Sequence, residues 1–196
     1  MTKFKLLLLI VLLPLYSLSQ DNKGVNSLVV SDFKIQKNGM YILGAWAAAN
    51  LISSPILASN TSGHEKYFHL MNGGWNLINL GLAGSSLLYM KNNNYHNNSI
   101  KSYLNHRKLQ NIFLVNGVLD FTYMTAGLYL MERSNNIVTR ADQLKGIGQS
   151  LLLQGAFLAV FDFSMLIVLN TKNEQWKNVL NNISLSSNEI GFRLGL

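Results

Sequence analysis

Between residues 40 and 170 the chain alternates long apolar stretches with short polar connections. Residues 40–59, 67–90, 110–131 and 146–170 each hold about twenty or more largely apolar residues. As helices rising 1.5 Å per residue, they reach across a hydrocarbon layer about 30 Å thick. Within the second stretch His69, Asn72, Asn76 and Asn79 recur at steps of three, four and three, and Ala83 and Ser86 continue the line. That spacing places them on one narrow face of a helix. The rest of its circumference is mostly apolar or glycine. A helix on the surface of a water-soluble bundle shows the reverse, a broad polar face turned outward. The pattern therefore predicts an all-α, four-helix transmembrane bundle, with the polar seam packed inward and apolar flanks against lipid.

The remaining spans carry matching polar positions. Asn116, Asp120 and Tyr123 share a face of the third, and Gln154 and Asp162 lie two turns apart on the fourth. Tyrosines aside, His69, Asp120 and Asp162 are the side chains inside the four spans that titrate near neutral pH. A charge in hydrocarbon is costly, so polar groups that remain there are paired, neutral or functional. His69, Asn72, Asn76, Asn79, Asn116, Asp120, Gln154 and Asp162 are thus the candidate intramembrane cluster. One reading makes it a site for a proton, a cation or a small polar ligand. The other makes it a set of interhelical hydrogen bonds, each worth about 0.6–2 kcal/mol in membranes, that fixes which helices meet; the second is the simpler.

Outside the spans, Lys3 and Lys5 precede an unbroken apolar run from Leu6 to Leu13, and Ser17 and Ser19 follow Pro14. This is the pattern of a cleavable signal peptide over residues 1–19. Its apolar run is too short to span. Residues 20–39 read as a polar lead, residues 40–170 as the membrane domain and residues 171–196 as a polar tail. Loose alternation of Ile183, Leu185, Ile190, Phe192, Leu194 and Leu196 permits a short strand there. No other segment has the alternation of a transmembrane barrel.

Composition sharpens the picture. Of 196 residues 48% are hydrophobic and only 13% charged, against roughly 25% charged in soluble domains. A net charge of +7 without a dense basic cluster or a nucleic-acid motif points to an anionic membrane surface rather than to DNA or RNA. The absence of cysteine rules out disulfides, thiolate catalysis and cysteine-based metal centres. His69 is the one histidine within a span, with His64 just before it and His96 and His106 in the following connection, so no bis-histidine haem site forms inside the spans. No Gly-x-Ser-x-Gly, His-Glu-x-x-His or Walker pattern occurs, and Gly146-Ile147-Gly148 lacks the rest of a dinucleotide fingerprint. Asp120 and Asp162 do not stand in the Gly-x-Gly-Asp setting of intramembrane aspartyl proteases. No cofactor is expected.

Tyr41, Tyr67, Tyr89, Tyr129 and Trp176 fall near the span ends, where aromatic rings anchor at headgroup depth. Gly44/Ala48, Gly81/Ser85 and Gly155/Ala159 are small pairs four apart that permit close helix approach. Two internal echoes stand out. Gly-x-Trp-x-x-x-Asn-Leu occurs at Gly44 and again at Gly73, and Asp-Phe plus a hydroxyl residue at Asp120 and Asp162. Both fit either chance or a one-helix duplication with inverted relation. Topology is in conflict: an exported N-terminus leaves four Lys and Arg residues in the inside connections and ten outside, against the positive-inside tendency. The dominance of a strong first signal favours the exported arrangement.

The stretch Tyr67-Phe68-His69-Leu70-Met71-Asn72, with Trp75-Asn76 and Asn79-Leu80, resembles a family of small uncharacterised bacterial proteins. Leu43-Gly44-Ala45-Trp46 and Asn50 extend the resemblance, as do the two aspartate-bearing spans. It implies a signal peptide and four hydrophobic helices, and carries over no functional roles. The sequence thus leads to an inner-membrane, multi-pass, non-enzymatic structural or interaction subunit. Its expected partners are the bilayer and either a second copy of itself or another membrane protein. The alternative is a small proton- or cation-coupled transporter using Asp120 and Asp162.

Overall fold

The computed structural model describes residues 24–92 and 99–181. Four helices follow in order: α1 (Gly24–Asn60), α2 (Gly63–Asn92), α3 (Ser99–Ser134) and α4 (Ala141–Asn170), with a 3-10 turn, Val138–Arg140, leading into α4. Residues 173–181 form a further short helical stretch. Among the described residues the regular structure is all helical, as the periodicity requires. The signal-like segment, His96 and the alternating end 182–196 lie outside the described residues.

The turn between α1 and α2 is short because Gly63 takes a φ of +58°, in the left-handed region that glycine enters without penalty. The last carbonyls of α1 are satisfied locally. Asn60 donates to the Ile56 carbonyl at 2.7 Å, and the Thr61 hydroxyl donates to that of Leu57 at 2.8 Å. At the other end of the bundle α4 closes with Thr171, whose hydroxyl donates to the Val168 carbonyl, and the chain turns into residues 173–181.

α4 is the central element. It packs along α3 and against α2, while α1 lies along α2 and reaches α4 chiefly through large side chains. The α3–α4 seam is tight at glycine. A Cβ on Gly148 would stand 2.5 Å from the Gly127 carbonyl oxygen, and one on Gly155 would stand 2.8 Å from that of Asp120. Gly155 and Ala159 act as the small-residue spacing predicted, but Gly81 has open space beside it and Ser85 is exposed. The apolar core gathers Ile35, Met40, Leu43, Ala83, Phe113, Phe157, Phe161, Met165 and Leu169.

The helices extend beyond the apolar stretches. The stretch read as a polar lead is helical from Gly24 and buries Leu28, Asp32 and Ile35. α3 likewise begins at Ser99, so His106 belongs to a helix and not to a connection. At about 1.5 Å per residue α1 and α3 are each roughly 55 Å long, well beyond a ~30 Å apolar layer. Gly24–Asn60, Ile100–Ser134 and Val138–Asn181 are long and apolar enough to cross a membrane; α2 is not among them. His69, four asparagines and five glycines lower the apolarity of α2. Large apolar side chains nevertheless line the outside of all four helices, among them Ile52, Leu77, Leu88, Val115, Phe121 and Ile167.

Candidate functional site

The polar seam of α2 faces inward at Asn72, Asn76 and Asn79, all buried. There it meets Gln154 of α4 and Trp46 of α1. The Trp46 indole donates to Gln154 Oε1 at 3.2 Å, and Gln154 Nε2 donates to Asn72 Oδ1. Asn72 Nδ2 in turn donates to Asn50 Oδ1 at 2.5 Å and approaches the Ser54 hydroxyl at 3.4 Å. Asn50 returns its own amide to the Trp46 carbonyl at 2.8 Å. Asn76 donates to the Asn72 carbonyl and accepts from Asn79. The Trp46 ring also stacks on Phe157, with centroids 3.9 Å apart and planes within 6°. Three helices are thus tied by amides that satisfy one another, which is the condition for burying them without loss.

A second station lies farther along α4. The carboxyl groups of Asp120 and Asp162, both buried, come together between α3 and α4. Asp120 Oδ2 has no hydrogen-bond partner. Phe113, Phe157 and Phe161 belong to the apolar core around this stretch of α4, with Phe157 and Phe161 falling between Gln154 and Asp162 in sequence.

The predicted cluster is therefore divided. Asn72, Asn76, Asn79 and Gln154 come together, and Asp120 pairs with Asp162. Asn116 does not join them: it is exposed on the outer side of α3, because Phe113, Gly117 and Asp120 take the inward positions. His69 is half-buried beside a cleft and lies edge-on to Phe68, apart from the amide network. Tyr123 contacts Trp75 edge to face, at 4.8 Å between centroids. Trp46 and Trp75, equivalent in the repeated motif, thus do different work, as do Asn50 and Asn79, so the echo has no counterpart in packing.

A third station escaped the sequence reading. His106, fully buried, places Nδ1 2.9 Å from Asp32 Oδ2 and Nε2 3.0 Å from Asn173 Oδ1. Gln110 orients that acceptor by donating to Asn173 Oδ1 at 2.7 Å and to Asn170 Oδ1 at 2.8 Å. The buried ring of Trp176 covers His106 at 5.7 Å, so it is packed here rather than set out as an interface anchor. This station ties α1, α3, α4 and residues 173–181 where α1 and α3 project past their apolar stretches. The signal was present: Leu28, Asp32, Ile35 and Gly39, and Ser102, His106, Gln110 and Phe113, each keep helical spacing. Among the described residues no group of His and acidic side chains is arranged to hold a metal.

A family model described as "Family of unknown function (DUF6992)" matches residues 42–163, well over half of the chain, and the chain belongs to that family. The matched region contains the amide network and both aspartates. No curated protein and no solved structure matches the chain.

Proposed function

We propose that this member of DUF6992 is a non-enzymatic, multi-pass membrane protein, exported by its N-terminal signal to the inner membrane. Its polar seam serves to fix helix packing, so that a rigid apolar exterior is offered to lipid and to a membrane partner. The supporting observation is the closure of the amide network. Trp46, Asn50, Asn72, Asn76, Asn79 and Gln154 direct their polar groups at one another. Such mutual satisfaction favours a packing device over a ligand site. α2, too polar to count as a span by itself, is carried by the apolar α1 and α4 beside it, which hide its seam.

A second reading, proton coupling, is favoured by one observation: two buried carboxyl groups, Asp120 and Asp162, come together between α3 and α4, and Asp120 Oδ2 has no hydrogen-bond partner. The two are separated by reconstitution. Purified protein in liposomes with an entrapped pH dye is given a pH gradient, and wild type is compared with Asp120→Asn and Asp162→Asn. The packing reading expects no flux above protein-free liposomes. It also expects a fixed oligomer or a stoichiometric membrane partner by mass spectrometry from mild detergent, kept in both variants. Flux in wild type, abolished in folded Asp120→Asn, establishes proton coupling instead. Recovery of the mature protein in the soluble fraction after detergent-free lysis removes both readings.

A further inference from the structure

Where α1 and α3 project past their apolar stretches, the bonds around His106 dictate how many protons it shares with Asp32. Arg107 carries only donors, so the Gln110 atom it meets at 2.8 Å is Oε1, and Gln110 turns its amide nitrogen inward. That nitrogen donates to Asn170 at 2.8 Å and to Asn173 at 2.7 Å, so the atom of Asn173 that it meets is the carbonyl oxygen. His106 Nε2 lies 3.0 Å from the same oxygen and must therefore be an N–H. On the other side of the ring Nδ1 lies 2.9 Å from Asp32 Oδ2. A bond forms there in two ways: Nδ1 is also an N–H and Asp32 is ionised, or Asp32 is protonated and donates to a bare Nδ1. Both forms hold one proton more than a neutral imidazole beside a carboxylate. Loss of that proton sets a lone pair against a carboxylate where both residues are buried and Asp32 Oδ1 has no hydrogen-bond partner among the described residues. The other charged or titratable groups of the elements that meet here are Lys34 and Lys37 of α1, Lys101, Tyr103, Arg107 and Lys108 of α3, and Lys172, Glu174 and Lys177 beyond α4. None of these is a histidine, the side chain whose charge ordinarily changes between about pH 5 and 8.

We propose that residues 173–181 are a proton-operated latch: they dock while the His106–Asp32 pair holds its proton, and undock when rising pH removes it. Asn173 is the catch, because its carbonyl oxygen accepts from both His106 and Gln110. Docked, the pair binds one proton; undocked, in water above neutral pH, an imidazole and a carboxylate bind none. Each further pH unit therefore weakens docking by up to about tenfold. Undocking uncovers Trp176, whose buried ring lies 5.7 Å from that of His106.

The test uses the full chain in detergent with Trp46→Phe and Trp75→Phe, so that Trp176 reports alone. Its emission and its quenching by acrylamide are followed from about pH 5 to 9. A reversible red shift with stronger quenching is expected as the pH rises, spread over about two pH units as one proton requires. Asp32→Asn separates a proton switch from packing alone. Its amide presents Nδ2 to a bare Nδ1 while the Nε2 N–H keeps Asn173, so a neutral His106 is fully bonded and the segment stays docked across the range. His106→Gln, with no ionisable group, removes the transition. Circular dichroism of each variant verifies that the helices persist. An emission that does not move with pH in the parent chain overturns the proposal, as does a transition that survives in helical Asp32→Asn or His106→Gln. An Asp32→Asn chain undocked at every pH overturns it too. Each of these outcomes leaves the membrane assignment standing, because docking is read after extraction.

Discussion

Gln154 is the residue on which the seam turns, because it accepts from one helix and donates to another. Replacing it by Leu keeps the volume but strands the Trp46 indole and Asn72 Oδ1 inside the bundle. The expected loss is about 1–3 kcal/mol, read from unfolding of the purified protein in increasing sodium dodecyl sulfate. Asn72→Leu is expected to cost a similar amount, and the double variant distinctly less than the sum, since the two removals share one network. Strict additivity contradicts the network. His106 offers a second check at this scale. Its replacement by Ala leaves Asp32 and Asn173 facing a void, so residues 173–181 loosen and Trp176, now in contact with water, shifts its emission to the red. With Trp46→Phe and Trp75→Phe in the background that shift belongs to Trp176 alone, and an unchanged spectrum means the His106 contacts do not hold the segment. Gln154, the aspartates and the three asparagines were legible as polar breaks in apolar stretches. His106 and Asp32 were not, because in polar surroundings a histidine or an aspartate carries no signal until the helix is known to continue through it.

At the scale of elements the question is how closely each pair of helices must approach. The α3–α4 seam is decided by Gly127, Gly148 and Gly155, where an added methyl meets backbone that does not move. Gly148→Ala is expected to destabilise by about 1–3 kcal/mol through overpacking. Gly81→Ala, on the open side of α2, removes a flexible residue from a helix interior and should stabilise by roughly 0.5–1 kcal/mol. Opposite signs in one thermal unfolding series test the seam directly; equal effects place it elsewhere. All four helices were readable from periodicity, yet their ends and contacts were not. The apolar stretch marks the part of a helix that needs an apolar environment, whereas hydrogen bonding carries α1 and α3 on as far as their backbone finds partners. Small residues four apart flagged Gly155 and Gly81 equally. What separates them is only which face α4 covers, a tertiary fact that spacing does not contain.

For the whole molecule, the projecting ends decide how the chain sits. Gly24, Asn92, Ser99 and Asn170 share one end of the bundle, since consecutive helices run in opposite directions. Lys34, Lys37, Lys101, Arg107, Lys108, Lys172 and Lys177 lie there, against Lys66, Arg133, Arg140 and Lys145 at the other. By the positive-inside tendency alone the first end would face the cytoplasm. Yet that rule counts cations in short loops beside the spans, and here several of them ride on helices that extend beyond the apolar layer around Asp32 and His106. A folded cap of that kind follows the segment that precedes it, which under the proposed function is an export signal. Alkaline phosphatase fused after Asn181 should therefore be active, and a green fluorescent protein at the same position dark. Fusions after Asn60 and Ser134 should give the reverse pair. A fusion after Asn92 should match the first pair only weakly, because α2 alone lacks the apolarity to hold its place until α4 arrives to take up Asn72 and Asn76. A bright fluorescent fusion after Asn181 would mean that the basic cap is cytoplasmic, and that the positive-inside tendency outweighs the segment ahead of the cap.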